Sequence, residues 1–245
     1  METAATPIGD IDRVLIDDLL MLDGAMGRNY QWAYDLIAPY LGGSLLEVGS
    51  GVGVVSRFLV DRGDPLILSD HHPTYLEHLR ARFGGRPNVA FQLLDLTRFP
   101  YETVRPVDTI VCLNVLEHLE DDAAVLAGFR ELLPPGGRLV LQVPNYPALY
   151  GSLDEAYGHF RRYSRDVLRE RLVAAGFRIV ALRYFNPLAI PGWVLAAKVL
   201  RSKTLSVNAA RLFNAVVPIA RRLDFLARFG GLALLVCAER PAAPR

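Results

Sequence analysis

Three glycines at alternate positions, Gly49, Gly51 and Gly53, follow an apolar run that contains an acid, Glu47. A buried parallel strand has such a short apolar run, and glycine lets the backbone after it approach a ligand more closely than a Cβ would allow. About 20 residues further on, a second apolar run ends at Asp70, where a carboxylate can accept hydrogen bonds from ribose hydroxyls. The spacing predicts a cradle for a nucleotide-type cofactor, although a tight turn without a ligand would show the same glycines.

More polar residues follow the next apolar runs. Asp95 comes after one of them, and Asn114 opens the segment Asn114-Val115-Leu116-Glu117-His118 after another. Each residue alone could be a helix cap or part of a solvated turn. In open parallel sheets, however, ligands bind outside the carboxyl ends of the strands, where the strand order reverses. The ordered series of strand ends therefore predicts one shared site.

The elements that would position these residues alternate between strand and helix patterns. This alternation predicts an α/β fold, a doubly wound and mostly parallel seven-stranded sheet with helices on both faces and an antiparallel last strand. The predicted strands cover residues 45–48, 66–69, 89–93, 107–113, 138–143, 177–185 and 232–238. Helical patterns cover residues 11–22, with Asp10 as the cap, and residues 29–40, 54–62 and 165–175.

Length and composition favour one domain. The 245 residues are 51% hydrophobic and 22% charged, which suits a single large core. We predict N-terminal cap helices (1–41), a cofactor-binding core (42–144), an active-site loop (145–164) and a helical insertion (187–230) before the last strand.

Several features favour a cytoplasmic protein. The two cysteines, Cys112 and Cys237, lie in apolar strand-like runs and give no disulfide framework. The acidic stretch 10–18 does not resemble a signal peptide. No apolar stretch reaches the roughly 18 residues that a membrane-spanning helix needs.

The net charge of +1 hides an asymmetry along the chain. Residues 1–150 contain 11 Lys and Arg against 20 Asp and Glu, whereas residues 151–245 contain 16 against 6. This split predicts either an anionic partner on the C-terminal side or unevenly solvated faces. Since the basic half is apolar rather than a lysine-rich stripe and the pI is about 7.8, we expect no nucleic-acid partner.

Residues from about 41 to 143 resemble the class I S-adenosylmethionine-dependent methyltransferases. The matching segments are the Glu47-to-Gly53 turn, Asp70, Asp95-Leu96, the Asn114-to-His118 segment and Leu-Pro-Pro-Gly-Gly at 133–137. The resemblance implies that S-adenosylmethionine is the cofactor, with the glycine turn under its methionine part, Asp70 on the ribose and Asp95 beside the adenine. The cofactor contacts it implies are Glu47, Gly49, Ser50, Gly51, Gly53, Asp70, His71, Asp95, Leu96, Asn114, Val115 and His118.

Two alternatives stay open. An NAD(P)-dependent oxidoreductase uses a similar sheet, but its fingerprint spaces the last glycine one residue further on. A cofactor-binding or interaction protein without turnover is the other alternative. The intact glycines and strand-end acids favour an enzyme, a methyltransferase acting at oxygen, nitrogen or carbon.

The segment 145–163 is expected at the mouth of the active site, on the acceptor side. It resembles a Gly-His-x-Arg-Arg-Tyr segment of a bacterial branch of the family. We interpret His159 as a candidate general base, oriented by a carboxylate such as Asp154 or Glu155, with Arg161 or Arg162 holding an anionic group. Alternatively, these residues pin the loop to the domain. The predicted catalytic residues are His159 and Asp154, and the predicted substrate contacts are Tyr30, Trp32, Tyr157, Arg161, Arg162, Tyr163 and Trp193.

The acceptor is predicted to be small and hydrophobic or lipid-like, with an anionic group, as in secondary metabolism or envelope lipid assembly. Residues 187–200 and 212–235 are apolar with interspersed arginines, and the mean hydropathy is +0.22. Peripheral membrane contact, buried packing and a homodimer interface explain this pattern about equally. The five histidines show no ligand spacing and methyl transfer requires no metal, so the sequence predicts no metal site.

Overall fold

A seven-stranded sheet forms the centre of the molecule. The computed structural model describes residues 20–21 and 23–242, so the helix predicted over residues 11–22 lies outside the described residues except for 20 and 21. The strands are β1 (Leu45–Val48), β2 (Leu66–Asp70), β3 (Val89–Leu93), β4 (Thr109–Leu113), β5 (Arg138–Pro144), β6 (Arg178–Phe185) and β7 (Ala233–Glu239). Each differs from its predicted range by at most two residues at either end.

The strands lie in the order β3-β2-β1-β4-β5-β7-β6. Strands β1 to β5 pair in parallel, and β7 runs antiparallel to both β5 and β6. The predicted fold class is therefore confirmed, including the antiparallel last strand. The strand order reverses between β1 and β4, so the turns that follow these two strands border the crevice where ligands bind in such sheets.

Two hydrophobic cores lie on opposite faces of the sheet because successive side chains of a strand point to opposite faces. In β1, Leu46 belongs to one core and Leu45 to the other, and both are completely buried. Every residue of β1 and β2 is buried. This full burial explains why these parallel strands have continuous apolar runs rather than alternating patterns.

Helices cover both faces. They are α1 (Gly27–Ile37), α2 (Ser56–Val60), α3 (Pro73–Phe83), α4 (Asp122–Leu132), α5 (Ser152–Ala156), α6 (Arg165–Ala174), α7 (Ile190–Trp193) and α8 (Val207–Arg222). Short 3₁₀ turns cover Ala38–Tyr40, Leu116–His118, Pro147–Leu149, Pro187–Ala189 and Asp224–Arg228, and a π-helical turn covers Val194–Val199. Helix α1 begins two residues earlier than predicted, and its last predicted turn is 3₁₀.

Side-chain caps fix the start of several helices. Asp121 accepts a hydrogen bond from the backbone N–H of Ala124 at 2.9 Å before α4, and Ser164 accepts one from Val167 at 3.2 Å before α6. These caps satisfy backbone donors that have no partner within the helix. Within the described residues, we find no helix that is long and apolar enough to cross a membrane.

A substitution of Phe129 on α4 tests the hydrophobic core between this helix and the sheet. Its side chain is completely buried, so we expect F129A to lower the free energy of unfolding by about 3–5 kcal/mol. Val173 on α6 is 58% exposed, and V173A should change stability by no more than about 0.5 kcal/mol. Urea denaturation would measure both, and equal losses for the two variants would contradict this assignment of the core.

Candidate functional site

The glycine turn after β1 closely approaches the segment after β4. Gly49, Gly51 and Gly53 all have positive φ, at 65°, 54° and 83°. A Cβ at Gly49 would overlap the side chain of Val115. Glycine is therefore required at this position both by its backbone conformation and by its neighbour.

Asp70, at the end of β2, holds this turn. One of its carboxylate oxygens accepts the backbone N–H of Gly51 at 2.9 Å, and the other accepts that of His72 at 3.2 Å. The Asp70 side chain is only 4% exposed, while the neighbouring His71 is 62% exposed and lies 3.1 Å from it. A carboxylate has about four acceptor positions, so Asp70 can hold the turn and still accept hydrogen bonds from a ribose.

Glu47 supports the same turn from below. Its buried carboxylate accepts a hydrogen bond from the Ser56 hydroxyl at the start of α2. Its backbone carbonyl accepts the hydroxyls of Ser69 at 2.8 Å and Ser50 at 3.4 Å. Burial raises the pKa of Glu47 from 4.5 to about 7, although the bond from Ser56 opposes this shift.

Asp95 and Leu96 follow the end of β3. The Asp95 carboxylate accepts hydrogen bonds from the Thr97 backbone at 2.9 Å and hydroxyl at 2.7 Å. Partial burial raises the pKa of Asp95, but these bonds and the charge of Arg98 outweigh it and leave the pKa below its usual value. Leu96 is buried, and its carbonyl accepts the Tyr101 hydroxyl at 2.6 Å.

Asn114 follows β4 with a positive φ of 55°. Its backbone N–H donates to the Gln142 carbonyl at 2.8 Å, and its side-chain oxygen accepts the Gln142 amide at 3.1 Å. Positive φ is uncommon for residues other than glycine, and asparagine tolerates it best. These bonds turn the chain sharply at the carboxyl edge of the sheet, next to the glycine turn.

The predicted catalytic pair lies in the loop after β5. The Nδ1 of His159 lies 2.8 Å from the Asp154 carboxylate, whose side chain is fully buried, whereas the His159 side chain is 10% exposed. Asp154 also accepts the backbone N–H of Gly151 at 2.9 Å. Burial raises the pKa of Asp154, but the bond from His159 and the charge of Arg162 lower it by more, so the net direction is downward.

Arg162 is part of the loop's internal structure. Its Nε donates to both oxygens of Asp154, at 2.8 and 3.0 Å, and its guanidinium also donates to the Asn145 carbonyl at 3.0 Å. The guanidinium lies 4.3 Å from the ring centre of Trp193, and the Arg162 side chain is 1% exposed. This burial and pairing favour the alternative in which Arg162 pins the loop to the domain.

Arg161 and Tyr163 contact Asp122, at the start of α4, instead of an acceptor. The Arg161 guanidinium lies 3.1 Å from the Asp122 carboxylate and donates to the Glu120 carbonyl at 2.7 Å. The Tyr163 hydroxyl donates to Asp122 at 2.9 Å, and Tyr163 is 1% exposed. For these two residues the structure favours the alternative in which they pin the loop to the domain.

The predicted aromatic contacts divide between the core and the site. Trp32 is 2% exposed and its ring lies 4.8 Å from Phe185, so it is a core residue rather than a substrate contact. Tyr30 packs against Val52 and Val54 beside the glycine turn, and burial raises its pKa to about 12. Trp193 donates to the Leu149 carbonyl at 3.3 Å, and Tyr157 lies half-buried with its ring centre 6.3 Å from that of His159.

Sequence reasoning gave no role to Glu117, which the structure places beside His118 and His159. Glu117 is 1% exposed, and its pKa is raised to about 8 by burial. The rings of His118 and His159 are 4.7 Å apart and nearly perpendicular. Burial, and then the proximity of His159, lower the pKa of His118 to about 4. The adjacent Glu117 and His118 were a signal in the sequence, but nothing there indicated their contact with His159.

Residues 26–182 match the family described as the methyltransferase domain, which is more than half of the chain. The chain belongs to this family. The predicted resemblance to S-adenosylmethionine-dependent methyltransferases is confirmed by this match, and S-adenosylmethionine is the cofactor of the family.

Relatives support the assignment. One from Mycobacterium tuberculosis, named "Probable S-adenosylmethionine-dependent methyltransferase", is 28% identical over 158 residues, covering 63% of this chain and 56% of the relative. The ubiquinone biosynthesis O-methyltransferase of Xylella fastidiosa is 32% identical over 110 residues, 44% of each chain. The chain thus spans about half the length of the curated relatives it matches.

Solved structures share the fold. The N-methyltransferase NodS of Bradyrhizobium japonicum, in complex with S-adenosyl-L-homocysteine, gives a TM-score of 0.55 at 16% identity and covers 96% of this chain and 90% of NodS. An S-adenosylmethionine-dependent methyltransferase from Mesorhizobium loti gives 0.61 at 18% identity, covering 89% and 100%. At such identities the similarity concerns the fold alone.

The residues at the sheet edge fit the family's cofactor. The glycine turn brings bare backbone to the crevice, and Gly49 could not carry a Cβ there. Asp70 offers acceptor oxygens at the end of the neighbouring strand. Asp95 and Leu96 follow β3, the next strand along this edge.

Glu47 predicts a pH dependence of stability. Because its pKa is raised from 4.5 to about 7 in the folded protein, the stability linked to its protonation is full below about pH 4.5 and is lost as the pH rises through 7. Glutamine can keep the bond to Ser56 without titrating. Between pH 5 and pH 8, the free energy of unfolding of E47Q should therefore rise relative to the original protein by about 1–3 kcal/mol.

Thermal and urea denaturation of the cofactor-free protein across this pH range would measure the effect. Glu77 is exposed on α3, so E77Q is the matched control and should follow the original pH profile. Parallel profiles for E47Q and the original protein would contradict the raised pKa.

Proposed function

We propose that this protein transfers a methyl group from S-adenosylmethionine to an oxygen atom of a small, apolar acceptor. The observation that carries the proposal is the glycine turn locked by Asp70 in a chain of the methyltransferase family. S-adenosylmethionine supplies an activated methyl group, so the protein's task is to align the acceptor with it and to prepare the acceptor atom.

The acceptor mouth lies between the segments that follow β4 and β5. Asn114, Val115 and His118 follow β4, next to the glycine turn, and His159 reaches the same place from the loop after β5. Since Asp154 engages Nδ1, the Nε2 of His159 stays available. We propose that turnover requires this oriented nitrogen at the acceptor mouth, with Tyr157 as a further wall.

Two observations support an apolar oxygen acceptor. A ubiquinone biosynthesis O-methyltransferase is among the relatives. Between residues 195 and 229, seven large apolar side chains are exposed, and residues 187–229 contain seven basic residues against one acid. This segment suits the apolar part of a lipid-like acceptor or contact with an anionic lipid surface. With Arg161 and Arg162 engaged elsewhere, an anionic group on the acceptor is no longer part of the proposal.

Cofactor binding tests the proposal first. In calorimetric titration, S-adenosylmethionine should bind and NADH should not, and D70A should weaken the binding about 10- to 100-fold. The loss combines missing ribose bonds with a loosened Gly51 turn. Asp166 is exposed on α6, so D166A is the matched control. A preference for NADH would favour the oxidoreductase alternative instead.

Turnover distinguishes an enzyme from a binding protein. Asparagine at position 159 can still bond Asp154 but has no Nε2, so H159N should reduce S-adenosylhomocysteine formation about 100-fold or more and leave cofactor binding intact. Hydroxylated aromatic compounds with an apolar chain are the acceptors to test. His78 is exposed on α3, and H78N should keep full activity. Full activity of H159N would contradict the role of His159.

A further inference from the structure

Glu117 is a buried carboxylate that accepts no hydrogen bond from another residue. It lies in the 3₁₀ turn Leu116–His118 at the carboxyl edge of the sheet and is 1% exposed, and no neighbouring residue donates to either of its carboxylate oxygens. Buried polar groups are nearly always paired, because desolvation without compensation is costly. The Glu117 carboxylate is therefore available to a ligand.

Two imidazoles converge on the same point. His118 is the next residue in the chain, and His159 comes from the loop after β5. One ligand atom from each of Glu117, His118 and His159 lies within 4.8 Å of the other two. Two histidines and one carboxylate form a common protein site for divalent transition metals.

Both rings are held by residues outside this trio. The Nδ1 of His159 is engaged by the buried Asp154 at 2.8 Å, and His118 donates to the backbone carbonyl of Tyr157. Each ring therefore keeps one nitrogen with a free lone pair. Carboxylates and carbonyls hold metal-binding histidines in the same way, fixing the ring orientation and tautomer.

We propose that Glu117, His118 and His159 bind one divalent first-row transition-metal ion, such as Zn²⁺, Fe²⁺ or Co²⁺. In a tetrahedral site with bonds of about 2.0–2.2 Å, the ligand atoms are about 3.3–3.6 Å apart. Binding would therefore draw the three ligand atoms together from their present spacing of up to 4.8 Å. Imidazole donors disfavour Mg²⁺ and Ca²⁺, which prefer oxygen ligands throughout.

Arg162, whose charge acts on Glu117, does not take the place of a metal ion. Arg162 is bonded to Asp154 through its Nε and to the Asn145 carbonyl through a terminal nitrogen, and none of its hydrogen bonds reaches Glu117. The charge of Arg162 is thus balanced by Asp154. Glu117 keeps its oxygens free beside two imidazoles.

The metal site changes the role of His159. A nitrogen that binds a metal ion cannot accept a proton, so His159 acts as a ligand rather than as the general base predicted from the sequence. Three protein ligands leave coordination positions open, as in catalytic metal sites. These positions suit an oxygen of the acceptor, and this last step alone rests on the proposed function.

Cobalt titration tests the site directly. Protein stripped with a chelator should bind one Co²⁺ per chain, with visible absorption bands that Zn²⁺ abolishes by displacement. E117Q and H159N should each weaken Co²⁺ binding at least 100-fold, while H78N should not change it. Circular dichroism and S-adenosylmethionine titration of each variant would establish that it is folded.

The outcomes separate the metal site from the proposed function. Absence of stoichiometric Co²⁺ binding, or binding that E117Q leaves unchanged, would overturn the metal site even if methyl transfer proceeds. Metal binding without any methyl transfer would support the site and contradict the proposed function instead. Methyl transfer at full rate in metal-free protein would overturn the link between the metal and the acceptor.

Discussion

The buried carboxylate of Asp154 organises the loop that follows β5. It accepts hydrogen bonds from the Gly151 backbone, the His159 ring and the Arg162 guanidinium. A buried charge is tolerated only when it is paired and hydrogen-bonded, and here three donor residues achieve this within one loop. Because Arg162 also donates to the Asn145 carbonyl just after β5, the same network ties the loop to the sheet.

The glycine turn after β1 is likewise held by buried, hydrogen-bonded carboxylates. Asp70 is buried at the end of β2, and its carboxylate accepts hydrogen bonds from the backbone N–H groups of Gly51, in the glycine turn, and of His72. Glu47 lies beneath the turn, bonded to Ser56. Both acids are placed by strands that are buried on both faces, so their positions are as rigid as the sheet itself.

The segment after β4 joins the two sides. Near its start, the side chain of Val115 lies against Gly49 of the glycine turn. Its next turn carries Glu117 and His118, which meet His159 of the acceptor loop. A few consecutive residues therefore connect the glycine turn after β1 with the loop after β5. The chain bends at Asn114, whose φ is positive, so that one segment contacts both the glycine turn and the loop after β5.

The sequence by itself determined the sheet, the glycine turn and the strand-end acids, and it indicated that a nearby carboxylate, Asp154 or Glu155, pairs with His159. These features depend on periodicity, on backbone conformation or on residues close in the chain, and all of them are visible in consecutive residues. The sequence did not determine which partners Arg161, Arg162 and Tyr163 would take, or that Trp32 would lie in the core.

Only the tertiary structure decided those contacts, because they join segments that are distant in the chain. Tyr163 reaches Asp122 across 41 residues, and His159 reaches Glu117 only because β4 and β5 are neighbours in the sheet. Glu117 and His118 lie in the turn after β4, whereas His159 lies in the loop after β5. Because these candidate ligands come from two distant segments, the spacing of the histidines along the chain did not indicate a metal site.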